Sequence, residues 1–235
     1  MLQLTIKEAL GQVLEPAGKA IIEVGCGDGA IMRHLARLGA TVLGIEVSEG
    51  QLFRARARAG EGETYRTASG ESLPCTDGSM DAVLYVNSFH HLPRQQMQLA
   101  LSEAARVLVP GGLLIVVEPL AGGAYFEAMR PIEDETEVRA AAYAALQNPP
   151  PLLMPDGEAF YESVVRMRDA DRFLEVITAA DPARRERLPQ AEAELRWRYG
   201  TYAQHDADGA YLVAPMRRNV LRKAFPAEAM LLAPA

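Results

Sequence analysis

Cysteine, tryptophan and aromatic side chains in general are scarce in this sequence. Its 235 residues hold two cysteines, one tryptophan and 6% aromatics. Two cysteines, Cys26 and Cys75, cannot build the disulfide framework of a small secreted domain, so a cytoplasmic setting is expected. A basic excess is missing too. The 24 Lys and Arg against 31 Asp and Glu give a net charge of −7, which argues against nucleic acid as a partner. No apolar run is long enough to span a bilayer, so no membrane partner is expected. The opening Met1-Leu2-Gln3-Leu4-Thr5-Ile6-Lys7-Glu8 lacks the basic start and unbroken apolar core of a signal peptide. No Cys/His or Asp/His set has metal-ligand spacing, and no nucleophile elbow of a Ser-His-Asp hydrolase is present. What is there is the composition of a globular protein, 49% hydrophobic and 23% charged, with length for one α/β domain plus an insertion.

The chain is organised around Ile21-Ile22-Glu23-Val24-Gly25-Cys26-Gly27-Asp28-Gly29-Ala30. A β-branched run stops at three glycines and a helical pattern (Ile31, Leu35, Leu38) follows at once. Glycines there allow a tight strand-to-helix turn and close approach of a ligand, and the helix start favours a polar or anionic group. A second strand, Thr41-Val42-Leu43-Gly44-Ile45, ends at Glu46, about 20 residues past the glycines, where an acid is placed to accept ribose hydroxyls. Ser48 caps a helix whose Arg54, Arg56 and Arg58 read as a solvated face. A third strand at 64–67 leads into the turn Ala68-Ser69-Gly70-Glu71-Ser72-Leu73-Pro74. A fourth, Asp81-Ala82-Val83-Leu84-Tyr85-Val86, closes on Asn87-Ser88-Phe89-His90-His91. After a helix from about residue 94 to 108, Pro110-Gly111-Gly112 turns into a fifth strand ending at Glu118-Pro119. This alternation predicts a parallel sheet with helices on both faces. Ligands bind such sheets beyond the carboxyl ends of the strands. The glycine turn, Glu46, residues 69–71 and residues 87–91 gather at that edge.

Together these motifs resemble the class I S-adenosylmethionine-dependent methyltransferases, in particular the small-molecule branch that includes quinone-biosynthesis enzymes. The resemblance covers roughly the first half of the chain. It implies a Rossmann-like, seven-stranded, mostly parallel sheet with an antiparallel last strand, and S-adenosylmethionine as cofactor with S-adenosylhomocysteine as product. By that resemblance Glu23, Gly25, Cys26, Gly27 and Gly29 hold the methionine portion, and Glu46 with Val47 the ribose. Gln51, Leu52, Ser69, Gly70 and Glu71 meet the adenine, and Asn87 and Ser88 lie near the amino-acid end. Two residues depart from the family pattern. Ser69 stands where an acid usually accepts from the adenine amino group. Gln51 replaces an apolar residue, which leaves Leu52 to pack on the ring.

The second half is expected to depart from simple alternation. Residues 122–193 read as a helical insertion after the fifth strand, a substrate lid or a dimerisation element. It includes a helix capped by Asp156 and carrying Phe160, Val164, Met167, Leu174 and Ile177, then a short one from Asp181-Pro182. Residues 194–202 and 210–216 read as a closing hairpin. The core is then 1–121 with 194–225, and the tail 226–235 frays.

Methyl transfer is an in-line displacement that needs an aligned acceptor, and a hydroxyl or acidic carbon acceptor needs a general base. His90 and His91 are the catalytic candidates, with Tyr125 second and Glu118 a weaker contact; helix capping is the plain alternative for the histidines. Trp197, Tyr199 and Tyr202 read as packing, and Arg130, Arg139, Arg166, Arg168 and Arg172 mostly as solvated faces. The function expected is methylation of a small-molecule acceptor at O, N or C. Two alternatives stay open. One is a non-catalytic cofactor-binding or regulatory protein of the same fold. The other is an NAD-dependent oxidoreductase, since Gly25-x-Gly27-x-x-Ala30 also satisfies the dinucleotide fingerprint.

Overall fold

The computed structural model describes residues 1–180 and 182–225. It divides into two compact units, a larger one of residues 6–118, 141–159 and 217 onwards, and a smaller one of 1–5, 119–140 and 160–216.

In the larger unit, helix α1 (Ile6–Gly11) precedes β1 (Ala20–Val24), and α2 (Ala30–Arg37), β2 (Thr41–Glu46), α3 (Glu49–Arg56), β3 (Glu63–Thr67) and β4 (Met80–Val86) follow. Then come α4 (Arg94–Val107) and β5 (Leu108–Pro119). The strands run in the order β3-β2-β1-β4-β5, continued by β8 (Gly209–Lys223) and β6 (Leu153–Arg166). Four parallel ladders join β1 to β2 and β4, β2 to β3, and β4 to β5. Their register aligns Val24 with Ile45 and with Tyr85, so the three central strands end together. Parallel strands are covered on both faces, which is why Ile21, Ile22, Val83, Leu84 and Ile115 are all fully buried. Helix α4 supplies Met97, Ala100, Leu101, Ala104 and Ala105 to the core of this unit, apolar residues at three- and four-residue spacing.

The smaller unit holds α5 (Gly123–Met129), α7 (Ala170–Ala180), α8 (Pro182–Tyr202) and the antiparallel hairpin of β7 (Gln204–Asp206) with β8. Its core packs Met129, Ile132, Phe173, Leu174, Ile177, Leu195 and Tyr199. Arg184 donates to Glu133 at 2.5 Å and to Glu135 at 3.0 Å, and Arg139 pairs with Glu135 and donates to the Leu120 carbonyl at 2.7 Å. Helix α6 (Thr136–Gln147), β6 and β8 contribute residues to both units. Among the described residues no helix is long and apolar enough to cross a membrane.

The parallel sheet and its antiparallel end are as the sequence predicts; three details of the second half differ. The helix expected from Asp156 is strand β6, so residues 122–193 are not a purely helical insertion, and excising them would take a strand out of the sheet. Phe160 and Val164 fall at helical spacing with Met167, just past the strand's end, by coincidence, and pairing of β6 with β8 overrides that pattern. Residues 194–202 are not a strand but the C-terminal part of α8, whose Leu195 and Tyr199, four apart, face the core. The closing hairpin is therefore shorter on its first side and longer on its second, with its turn at 207–208. The expected fraying of 226–235 concerns residues outside those described, as does Asp181.

Candidate functional site

The turn after β1 is pinned to its neighbour, since Gly25 and Cys26 both donate to the Ile45 carbonyl, at 2.8 and 3.0 Å. Each glycine answers a different demand. A Cβ on Gly25 would lie 2.6 Å from that of Ser88, and one on Gly29 2.3 Å from the Tyr65 hydroxyl. Gly27, at φ +54°, has nothing within 4 Å of where its Cβ would be. So the outer two glycines admit protein, and the middle one leaves an open cradle.

Glu23 lies beneath this turn, 2% exposed, and its Oε2 has no hydrogen-bond partner. Burial, and then the Glu46 and Asp28 carboxylates, push its pKa well above the ordinary carboxylate range. Burial likewise pushes the Cys26 thiol up, with Glu23 and Glu46 adding to it, so this sulfur is no nucleophile. Glu46 ends β2 with both oxygens engaged. Its Oε2 accepts from Gly27 N–H at 3.1 Å, and its Oε1 from Val47 and Ser48 N–H at 2.9 and 3.0 Å. Three acids thus surround a turn of the kind that elsewhere cradles phosphate.

At the end of β4, Asn87 takes φ +52°, alone among the described non-glycine residues in the left-handed region. Its N–H donates to Val117 O at 2.8 Å, and Ser88 Oγ donates to Val24 O at 2.6 Å. Residues 89–91 form a single 3₁₀ turn. Glu118, at the end of β5 and fully buried, holds this loop. Its Oε1 accepts from Ser88 and Phe89 N–H at 3.1 and 3.0 Å, and its Oε2 pairs with His90 Nδ1. His90 is buried, whereas His91 is exposed and its ring centroid lies 4.0 Å from that of His90.

Comparison with known proteins adds to this geometry. Residues 22–116 match the family model described as a methyltransferase domain. The demethylmenaquinone methyltransferase of Tropheryma whipplei is 41% identical over 104 residues, 43% of this chain and 42% of that protein. The ubiquinone biosynthesis O-methyltransferase of Sinorhizobium fredii is 29% identical over 161 residues, 67% of this chain and 58% of that one. Residues 22–116 are thus similar in sequence to methyltransferase domains. The chain spans about half the length of the curated relatives it matches. In fold, the likeness extends further. A solved putative methyltransferase from Bacillus halodurans superposes with a TM-score of 0.61 at 16% identity, covering 94% of this chain and 99% of that one. The [4+2]-cyclase SpnF superposes at 0.62 and 22% identity, covering 93% and 80%.

Within residues 22–116 the structure gathers Glu23, the three glycines, Cys26, Glu46, Val47, Asn87 and Ser88 around the carboxyl ends of β1, β2 and β4. Ser69 and Ser72 bridge across the turn after β3, Gly70 packs 2.9 Å (as a Cβ) from the Tyr85 hydroxyl, and Glu71 Oε2 is buried. Leu52 is fully buried on the inward face of α3. Val47, 69% exposed, is the apolar side chain open at this edge. Tyr125 belongs to the smaller unit, on α5, edge-on to Phe173, with burial pushing its pKa up. Trp197, Tyr199 and Tyr202 lie on α8, not on a strand. Of the five arginines named from sequence, Arg139 is buried in an ion-pair network and Arg130, Arg166, Arg168 and Arg172 are exposed and paired with acids. The part of Glu118 as holder of the loop, and a Glu103–Arg106 pair beside the 69–75 turn, were not foreseen. The three-residue spacing of that opposite-charge pair on a helix was the available signal.

Proposed function

We propose that this chain binds S-adenosylmethionine at the glycine turn and transfers its methyl group to a small-molecule acceptor. The observation that carries the reading is Glu23. A buried carboxyl with an unpartnered oxygen, surrounded by Glu46 and Asp28, suits a ligand that brings a cation to the turn. It is a poor neighbour for the pyrophosphate of a dinucleotide, which disfavours the nicotinamide alternative. The open cradle at Gly27 is the complementary fit. Glu23 would take the ammonium, Glu46 the ribose hydroxyls, and Asn87 and Ser88 the amino-acid end. Residues 69–71 would meet the adenine, with Ser69 a neutral acceptor in place of the usual acid. When bound, the cofactor supplies a methyl group on a sulfonium, already activated for displacement.

The chain's own task is to align the acceptor, exclude water and take a proton where the acceptor carries one. His91 is the exposed imidazole at this edge and is the base proposed. His90, fixed by Glu118, keeps the ring beside it in place. Of the relatives named above, one is called a demethylmenaquinone and one a ubiquinone-biosynthesis methyltransferase, and both names fit an aromatic hydroxyl or ring carbon as acceptor. A cytoplasmic location accords with the cysteine usage.

Calorimetric titration with S-adenosylhomocysteine, with NADH in parallel, tests the cofactor. Micromolar binding of the former alone is expected, and binding of NADH alone overturns the reading. With an acceptor in hand, His91→Ala is expected to cost roughly 100-fold or more in kcat on a hydroxyl substrate. Near-wild-type turnover would remove the base assignment.

A further inference from the structure

The turn at 69–75 has little structure of its own. Within it, Ser72 N–H donates to Ser69 O at 3.2 Å and Cys75 N–H to Leu73 O at 2.8 Å. What fixes it is a pair of side chains one helical turn apart on α4. Glu103 Oε2 accepts from Leu73 N–H at 3.0 Å, while Arg106 Nη2 donates to Leu73 O at 3.1 Å, so both polar groups of one residue are captured. Arg106 Nη1 donates onward to Cys75 O at 2.8 Å and to Asp77 Oδ1 at 2.7 Å. The two clamp residues also bind each other, Arg106 Nε and Nη2 donating to the two Glu103 oxygens at 2.7 and 2.8 Å. The Arg106 hydrogen bonds hold the Glu103 carboxyl below its usual range. At the same end of the helix, just past its last residue, Lys223 Nζ donates to the Leu108 carbonyl at 2.6 Å.

We propose that Glu103 and Arg106 are positioning residues for base recognition. They touch no ligand but set the height and register of residues 69–71 against the purine edge, from a helix outside the binding edge. The inference rests on the cofactor reading above and adds to it the origin of base selectivity. A neutral Ser69 makes that selectivity depend on placement more than on charge, because a neutral acceptor gains its bond only at good geometry. The planar fork of Arg106 serves five acceptor contacts on four residues at once, which a lysine at the same position cannot do.

The test compares S-adenosylhomocysteine with S-inosylhomocysteine, which differs at the purine amino position, by calorimetry on the full chain and its Arg106→Lys, Arg106→Met and Glu103→Gln variants. Wild type is expected to prefer the adenosyl ligand by about tenfold or more, the worth of one hydrogen bond to the amino group. In the variants that ratio is expected to fall toward one, while the inosyl ligand binds nearly as before. Equal loss for both ligands would make the clamp merely structural and overturn the proposal, as would an unchanged ratio. Wild type that binds neither ligand would instead sink the cofactor reading, and wild type that binds both alike would show that the turn does not read the amino group. Arg106→Lys and Glu103→Gln, which keep polar contacts to the turn, carry the test if Arg106→Met does not fold.

Discussion

Glu23 is a stability cost kept inside an otherwise apolar strand, and its sign can be worked out. A carboxyl whose folded pKa lies above its unfolded value binds its proton more tightly when folded. It therefore costs nothing at low pH and costs progressively more as pH rises from the ordinary carboxylate range toward the folded value. Glu23→Gln is expected to flatten that part of the dependence, raising Tm more at about pH 8 than at about pH 5. The same change should weaken S-adenosylhomocysteine and abolish the rise of its affinity with pH, because an ammonium ligand selects the ionised carboxyl. A variant that gains stability but binds as tightly as wild type would remove Glu23 from the site. The glycines part in a similar way. Gly27→Ala meets only backbone strain, about 1–2 kcal/mol, and open space, whereas Gly29→Ala also drives a Cβ into the Tyr65 hydroxyl, itself bound to Glu63 at 2.6 Å. Thermal melts should place Gly29→Ala well below Gly27→Ala, while titration should show ligand affinity lost in Gly27→Ala. Equal melts would mean that Tyr65 yields freely. That glycines were needed here was legible in the sequence. Which one faces the ligand was not, since it depends on Ser88 and Tyr65, from strands and loops far along the chain.

Among the elements, the loop after β4 depends most on a single side chain. Glu118, itself buried, receives two backbone N–H groups and the His90 ring, and so holds the left-handed Asn87 where the loop needs it. Glu118→Ala takes this acceptor from the Ser88 and Phe89 N–H groups and this contact from His90, at a cost of about 3–5 kcal/mol. In a chain of this length that is a fall in Tm of roughly 10 °C or more. Glu118→Gln keeps an acceptor and should recover most of the loss; if both variants melt together, the loop is held by something else. Strands β1, β2 and β4 were readable because apolar runs there end abruptly at Gly25, Glu46 and Asn87. Strand β6 was not, because its Phe160 and Val164, with Met167 just beyond it, are spaced like a helix face and its partner lies some 60 residues on. Helix α8 was misread for the opposite reason. Its Trp197 and Tyr199 alternate like a strand, while the pairs Arg196–Glu192 and Arg198–Glu194, four residues apart, are helical.

For the molecule as a whole, every residue assigned to the cofactor lies in the larger unit, from Glu23 through Glu71 to Ser88. A ligand that binds only the native state adds stability by mass action, about 2.7 kcal/mol at 100 times Kd. With each kcal/mol worth about 2–4 °C here, S-adenosylhomocysteine should raise the melting of that unit by roughly 5–10 °C. Calorimetric melting reads more than affinity. If the two units unfold in separate steps, the ligand should move the transition that belongs to residues 6–118 and leave the other in place. If they unfold as one, the whole transition moves. NADH at the same concentration is expected to move neither, because its pyrophosphate would meet Glu23, Glu46 and Asp28 on a chain whose net charge is already −7. A shift with NADH alone would mean that the three glycines serve a dinucleotide after all. A shift confined to the other transition would place the ligand outside the glycine turn, and the assignment of Glu23 would fall with it.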